Sequence, residues 1–142
     1  WSISQGFHGQ VSHTDKLNTY AVDFDIALGT PILAARTGIV MEVIDSFPDN
    51  YQNQKSKLEN ANIIRILHED GSMAVYGHIL QNSAEVKPGQ WLVGGTMIAQ
   101  SGNSGFTNGP HLHFAIQVNT GMQLESIPFR MKSVNGYLQL NP

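Results

Sequence analysis

Short apolar runs that alternate with polar residues, broken every few positions by glycine-rich turns, extend through most of this sequence. Between Tyr20 and Ile26 every second side chain is large and apolar, so an extended chain here has one apolar face and one face that carries Asp23. Helical periodicity is almost absent. Fourteen of the 142 residues are glycine, which favours turns over helices. We therefore expect an all-β protein of many short antiparallel strands.

The predicted strands lie between turn signals. Glu69-Asp70-Gly71 and Asn135-Gly136 each separate two short apolar runs, as the turn of a β-hairpin does. Strands are accordingly expected at residues 20–26, 32–35, 38–44, 62–68, 72–78, 91–93, 97–100, 111–118, 131–134 and 137–140.

The length of the chain suits one domain and is too short for two ordinary ones, so residues 1–142 are expected to form a single domain. Hydrophobic residues make up 41% of the chain and charged residues 13%, which excludes a disordered chain or a coiled coil. Two polar loops, residues 46–60 and 101–110, are expected to form the rim of a groove. Residues 127–140 are expected to form a C-terminal hairpin.

Charge and composition exclude several classes of partner and site. The net charge is −3 and no run of basic residues exists, so nucleic acid is not an expected partner. No apolar stretch approaches the roughly 18 residues of a membrane span. Without cysteine there is no disulfide, thiolate metal ligand or cysteine nucleophile. The sequence opens at Trp1 rather than at Met, which predicts a processed or trimmed form that could have lost an export signal.

His111-Leu112-His113 is the densest group of potentially reactive side chains. Alternate residues of a strand share a face, so His111 and His113 point the same way while Leu112 points into the core. Their Cα atoms are then about 6.6 Å apart, and both imidazoles can reach one small site. The alternative is that the pair consists of two exposed polar residues on an amphipathic strand.

Three further polar residues gain significance in combination with this pair. Asp23 lies on the polar face of its strand, His13 in the polar stretch before it, and His78 at the end of another strand. Each of them alone is typical of a surface residue. Two or three neutral imidazoles with one carboxylate, however, form the donor set of a catalytic zinc site with a position left for water. The two remaining histidines have no evident partner and are expected to be structural: His8 and His68.

An ordered series of short motifs covers roughly residues 5 to 118 and identifies a family. The motifs are Ser12-His13, Tyr20-Ala21-Val22-Asp23-Phe24, the segment 29–40, His68-Glu69-Asp70-Gly71, Tyr76-Gly77-His78, Val86-Lys87-Pro88-Gly89-Gln90, Ser101-Gly102-Asn103-Ser104-Gly105-Phe106 and Gly109-Pro110-His111-Leu112-His113-Phe114. With these motifs the chain resembles the lysostaphin/LytM-type zinc metallopeptidases, which cut bacterial peptidoglycan.

The resemblance implies a fold of antiparallel β-sheets that flank a narrow groove, with one zinc ion on its floor. The zinc ligands of the family, a His, a later Asp and the second His of His-x-His, correspond to His13, Asp23 and His113. Two further active-site histidines of the family correspond to His78 and His111. Many members have the first His only four residues before the Asp, whereas His13 lies ten residues before Asp23, with nine residues between them. A longer-spaced branch of the family is similar to this chain.

The resemblance also implies an activity and a location. We expect a zinc-dependent endopeptidase whose substrate is a peptidoglycan peptide, cut either in oligoglycine bridges or in stem-peptide cross-links. Such an enzyme is exported to the periplasm, the cell envelope or the medium. The sequence does not indicate the oligomeric state, and His8 is the alternative first ligand.

Two other functions are compatible with parts of the sequence. Some relatives have lost the metal ligands and instead bind the cell wall or activate an amidase, but all five matching residues are present here. The segment from Val86 to Gln100 is similar to the hammerhead hairpins of biotinyl-type carriers. It lacks the lysine needed for attachment, since Lys87 precedes Pro88 in a turn.

Overall fold

The computed structural model describes residues 1–49, 60–105 and 107–141. In this part of the chain the regular elements are twelve short strands: β1 (Ser2–Gln5), β2 (Val22–Asp25), β3 (Pro31–Leu33), β4 (Gly38–Ile44), β5 (Ile63–Leu67), β6 (Met73–Gly77), β7 (Trp91–Leu92), β8 (Met97–Gln100), β9 (His111–Asn119), β10 (Leu124–Ser126), β11 (Lys132–Ser133) and β12 (Gly136–Tyr137).

Eight of these strands form one antiparallel sheet in the order β1-β2-β9-β6-β5-β4-β7, with β10 also paired to β9. β3 pairs with β8, and β11 pairs with β12, as separate two-stranded sheets. No helix in the described residues is long and apolar enough to cross a membrane.

One face of the central strands packs into the hydrophobic core. Phe114 of β9 stands opposite Val22 of β2 and Tyr76 of β6, and all three are almost fully buried. The rings of Tyr76 and Phe114 meet edge to face, with centroids 5.2 Å apart. The β3–β8 pair covers this face with further buried residues: Ile32, Ile98 and Ala99.

The opposite face of the same strands carries the candidate chemistry. His113 comes one residue before Phe114 and therefore points away from the core. Its register partners are Asp23 on β2 and Gly77 on β6. A Cβ atom at Gly77 would lie 3.2 Å from the Cβ of His113, so the glycine leaves room for the imidazole ring.

The structure confirms the predicted all-β, antiparallel fold. β4 and β8 have the predicted bounds, and the turn at 69–71 joins β5 to β6 as expected. β1 and β10 were absent from the prediction. Each has a single large apolar residue, Ile3 or Leu124, so pairing with a neighbouring strand decides its conformation.

The predicted loops and C-terminal hairpin are only partly described. Of the two polar loops, residues 50–59 and 106 lie outside the described residues. The described ends of the loops meet, because Asp49 and Ser104 form a β-bridge. A hairpin turn is present, but its two loop residues are Val134 and Asn135, one position earlier than predicted, because Gly136 pairs with Ser133. It joins a ladder of only two residue pairs, shorter than the predicted hairpin at 127–140.

Candidate metal centre

Two histidines and one aspartate meet at a single point beside the sheet. The side chains of His13, Asp23 and His113 each offer a ligand atom, and these atoms all lie within 4.8 Å of one another. The Oδ1 atom of Asp23 is 3.2 Å from Nε2 of His13 and 2.8 Å from Nδ1 of His113. Among the described residues, this is the one group of three or more His, Cys, Asp or Glu side chains close enough to share a metal ion.

The sheet and one loop place these three side chains. Asp23 and His113 are direct register partners on β2 and β9, so the ladder itself brings them together. His13 lies in the connection between β1 and β2, where its backbone N–H donates to the carbonyl of Gly9 at 3.1 Å. Its ring donates from Nδ1 to the carbonyl of Gly6 at 2.8 Å and is 1% exposed.

The hydrogen bonds of the two rings indicate a cation between them and the carboxylate. Because Nδ1 of His13 donates to a carbonyl, Nε2 of its neutral ring carries a lone pair, and this buried atom makes no hydrogen bond. His113 donates from Nε2 to Oδ1 of Asn18 at 3.0 Å, which turns the Nδ1 lone pair toward Asp23. Two lone pairs thus face one carboxylate oxygen, an arrangement that a proton or a metal ion stabilises.

The donor set fits a catalytic zinc ion. Two imidazole nitrogens and one carboxylate oxygen leave a fourth tetrahedral position for water or substrate. Metal-binding histidines in proteins almost always donate their other ring N–H to a carbonyl or carboxylate oxygen. His13 and His113 both do so, to Gly6 and to Asn18.

The electrostatics of Asp23 and His13 agree with this geometry. Burial disfavours the charged form of Asp23. Hydrogen bonds and positive charge from His113 and His13, when a proton occupies the ring nitrogen that faces the carboxylate, outweigh this effect and hold the pKa of the carboxyl well below its usual range. Burial lowers the pKa of His13, yet the neighbouring Asp23 carboxylate and the Gly6 carbonyl raise it overall. Asp23 is therefore an anion ready to bind a cation.

His78 and His111 lie beside the three candidate ligands. Their ring centroids are 4.5 Å apart, and His78 is also 5.8 Å from the ring of His113. Nε2 of His111 is 3.9 Å from Oδ1 of Asp23. The structure thus brings together all five residues that the sequence singled out.

The loop after β8 holds the outer nitrogens of both rings. His78 donates from Nδ1 to the carbonyl of Ser104 at 2.6 Å, and His111 donates from Nδ1 to the carbonyl of Gly109 at 2.9 Å. In their neutral forms both rings therefore carry the lone pair on Nε2. Each Nε2 is a proton acceptor beside the candidate metal position.

The backbone of His78 is strained. Its φ angle is +61°, in the left-handed region that residues other than Gly rarely adopt. Removal from solvent lowers the pKa of His78 to about 3, assisted by the positive charges that His111 and His113 carry when protonated. At neutral pH this ring is uncharged.

The remaining histidines lie apart from this group. His8 is exposed and packs its ring against Tyr20, with centroids 5.0 Å apart, so His13 rather than His8 approaches Asp23. His68 is buried, and its Nδ1 donates to the carbonyl of Thr37 at 2.9 Å. Both positions agree with the structural role expected from the sequence.

Sequence reasoning missed two amides that contact the site. Asn18 accepts the hydrogen bond from His113, and Gln5 donates to Asp23 from Nε2 at 3.0 Å. Both lie outside the predicted strands, and neither belongs to a recognisable metal-binding spacing. Only the three-dimensional path of the chain before β2 brings them to the site.

A comparison with known proteins identifies the family. Residues 17–125 match the model of Peptidase family M23. The chain belongs to this family. The matched M23 region includes Asp23, His78, His111 and His113 but begins after His13, so the position of His13 rests on the structure of this chain.

Curated M23 relatives match over part of their length. An uncharacterized metalloprotease of Haemophilus influenzae is 34% identical over 98 residues, which are 69% of this chain and 18% of the relative. Lysostaphin of Staphylococcus simulans is 32% identical over 103 residues, 71% of this chain and 18% of lysostaphin. DD-carboxypeptidase/endopeptidase Mpg of Neisseria meningitidis is 29% identical over 109 residues, 77% of this chain and 22% of Mpg. The chain thus spans about a fifth of the length of these relatives.

Solved structures support the M23 fold. The catalytic domain of lysostaphin from S. simulans has a TM-score of 0.60 at 28% identity, covering 84% of this chain and 82% of that domain. LytU has a TM-score of 0.61 at 32% identity, covering 80% and 71%. EnpA from Enterococcus faecalis has a TM-score of 0.65 at 21% identity, covering 89% and 86%, and shows the fold alone. The predicted family and fold are confirmed, and the metalloproteases among the M23 relatives imply a metal.

Proposed function

We propose that this chain is a single catalytic domain that uses one zinc ion to hydrolyse peptide bonds in bacterial peptidoglycan cross-links or bridges. The observation that carries the proposal is the convergence of His13, Asp23 and His113, with His78 and His111 beside them. Three ligands provide a metal site with an open position, and two further imidazoles provide groups that can move protons.

The metal would be held by Nε2 of His13, Oδ1 of Asp23 and Nδ1 of His113, because these are the atoms that face one another. When bound there, zinc lowers the pKa of its water to about 7 and polarises the substrate carbonyl. The Asp23 carboxylate would neutralise part of the charge of the metal. The two imidazole rings are neutral, so the remaining positive charge would be available for catalysis.

His111 and His78 would move protons at their Nε2 atoms. Both rings donate from Nδ1 to loop carbonyls, which fixes their orientation and leaves Nε2 to accept a proton from the attacking water. The same imidazoles can then protonate the amine that leaves the cleaved bond. Removal from solvent keeps His78 uncharged at neutral pH, so its Nε2 can accept a hydrogen bond from the attacking water.

The names of the relatives support the substrate class. Besides lysostaphin and the DD-carboxypeptidase/endopeptidase Mpg, the matched proteins include the glycyl-glycine endopeptidase ALE-1 of Staphylococcus capitis, 31% identical over 104 residues. The name of ALE-1 specifies a glycyl-glycine bond and that of Mpg a DD-carboxypeptidase/endopeptidase, so oligoglycine bridges and stem-peptide cross-links are the two substrates that we propose for this chain. A substrate of this kind also requires that the domain acts outside the cytoplasmic membrane, in the envelope or in the medium.

Digestion of purified peptidoglycans tests this proposal. Sacculi with oligoglycine bridges and sacculi with direct stem-peptide cross-links are each incubated with the zinc-loaded chain, and the fragments are identified by mass spectrometry. We expect new amino termini from one of the two substrates, and no cleavage after chelation until zinc is restored. The absence of cleavage in both substrates, or cleavage by protein shown to be metal-free, would contradict the proposal.

A further inference from the structure

The side chain of Gln5 connects β1, the loop that carries His13, and the carboxylate of Asp23. Its Oε1 accepts the backbone N–H groups of Val11 at 3.1 Å and Ser12 at 3.4 Å. Its Nε2 donates to Oγ of Ser12 at 2.7 Å and to Oδ2 of Asp23 at 3.0 Å. All the polar capacity of this amide is therefore directed toward the candidate metal centre and its loop.

The orientation of the amide is determined by its partners. Backbone N–H groups only donate, so the end of the side chain near Val11 and Ser12 must be the oxygen. The NH₂ group must then face Asp23. Gly9 leaves space for this arrangement, since a Cβ atom there would lie 2.1 Å from Cγ and 2.6 Å from Oε1 of Gln5.

The two oxygens of Asp23 consequently have different partners. Oδ2 is bound by Gln5, whereas Oδ1 faces the rings of His13 and His113 at 3.2 and 2.8 Å. A carboxylate held in this way presents one oxygen to a metal and cannot rotate freely about its terminal bond. The same amide also holds Val11 and Ser12, directly before His13 in the loop. The positions of two of the three candidate ligands, Asp23 and His13, therefore depend on Gln5.

We propose that Gln5 is a positioning residue, which fixes Asp23 as a ligand through Oδ1 alone and holds the His13 loop in register with it. This inference rests on the metal centre proposed above. Removal of a group that hydrogen-bonds to a metal ligand typically weakens metal affinity by about 10–100-fold. Gln5 makes no contact with the metal position itself and acts through Asp23 and the loop.

Zinc affinity of the Gln5→Met variant tests the proposal. Methionine has a similar length and no hydrogen-bonding amide, so the variant loses the contacts with both Asp23 and the loop. Zinc dissociation constants are measured by competition with a fluorescent chelator, and we expect a weakening of about 10–100-fold. The matched control is Ser2→Ala, because Ser2 lies on the same strand and donates to Asp25, a neighbouring carboxylate of β2, at 3.3 Å.

The outcomes separate this inference from the proposed function. Unchanged zinc affinity in Gln5→Met, or an equal loss in Ser2→Ala, would overturn the role of Gln5 and leave the metal centre intact. An unmodified chain that binds no zinc would overturn both.

A measurement on the unmodified chain covers the case in which Gln5→Met does not fold. The side-chain NH₂ protons of Gln5 should exchange with solvent more slowly by NMR than those of Gln10, which is exposed in the same loop. Equal exchange rates for the two amides would contradict the proposal.

Discussion

Each candidate ligand directs one atom to the metal position and binds the protein with another. His13 uses Nδ1 for Gly6, His113 uses Nε2 for Asn18, and Asp23 uses Oδ2 for Gln5. These hydrogen bonds orient the rings and the carboxylate, which lowers the entropic cost of binding a metal. His111 is also held by the protein through Nδ1, but its Nε2 is 3.9 Å from Oδ1 of Asp23, farther than the facing nitrogens of His13 and His113.

Substitution of the two histidines of β9 should have separable effects. His113→Ala removes a ligand and should lose zinc and activity together. His111→Ala leaves the three-ligand set intact, so it should retain zinc while its rate falls by about 10²–10⁴-fold through loss of acid–base assistance. Elemental analysis and kinetics on soluble peptidoglycan fragments measure both quantities. Loss of zinc from His111→Ala would mean that the two roles are exchanged.

The strained backbone of His78 determines which variant tests its role. Its left-handed φ favours Asn over Ala at this position, by about 1–2 kcal/mol for the conformation itself. His78→Asn should therefore remain folded and zinc-loaded but show a rate loss similar to that of His111→Ala. Urea denaturation checks the folding, and a normal rate in the folded variant would exclude a catalytic role for His78.

The site could be predicted from the sequence only where local patterns encode it. Alternation on one strand places His111 and His113 on the same face, and the family resemblance indicates the other three residues. Gln5 and Asn18 follow no such pattern, since their contacts depend on the path of the connection between β1 and β2. In isolation Asp23 was expected to be a surface residue, yet it is 7% exposed.

At the scale of the elements, alternation and turn residues account for most of the sheet. β4 lies at its predicted residues because Ile39 to Ile44 form a short apolar run that only Glu42 interrupts. β1 and β10 contain mainly polar residues and form by pairing with β2 and β9, so only the assembled sheet defines them. β1 is nevertheless the strand that carries Gln5 to Asp23, and part of the site was missed for this reason.

The hydroxyl of Tyr76 joins β6 to the segment after β3. It accepts the backbone N–H of Ala35 at 2.8 Å, and the side chain is 1% exposed. Burial raises the pKa of Tyr76 to about 12, against the opposing effect of this hydrogen bond. Tyr76→Phe should lower the free energy of unfolding at pH 7 by about 0.5–1.5 kcal/mol, the net value of one hydrogen bond.

The same substitution should change the response to alkaline pH. Between pH 10.0, the ordinary pKa of a tyrosine in an unfolded chain, and about pH 12, the folded chain keeps a phenolic proton that the unfolded chain has lost. The free energy of unfolding therefore falls as pH rises, by at most about 1.4 kcal/mol per pH unit from this group. Tyr76→Phe should lack this contribution, so the difference between the two proteins should shrink above pH 10 in urea titrations. A constant difference would contradict the buried, protonated state of Tyr76.

At the scale of the whole molecule, a metal would join parts of the chain that are far apart in sequence. His13 comes from the connection before β2, Asp23 from β2 and His113 from β9, so the candidate ligands span about a hundred residues. The hydrophobic core lies on the other face of the sheet and contains none of them. The fold should thus exist without metal, and zinc should add stability to it.

Removal of zinc should consequently lower the melting temperature without unfolding the chain. Zinc at one hundred times its dissociation constant stabilises the folded state by about 2.7 kcal/mol, which corresponds to roughly 5–10 °C for a domain of this size. Calorimetry of the zinc-loaded and the chelated chain measures the shift, and circular dichroism should show the same β-sheet content in both. His111→Ala should retain the shift and His113→Ala should lose it, because only the second removes a proposed ligand. Equal melting temperatures with and without zinc in the unmodified chain would show that the three side chains do not hold a metal ion in the folded state.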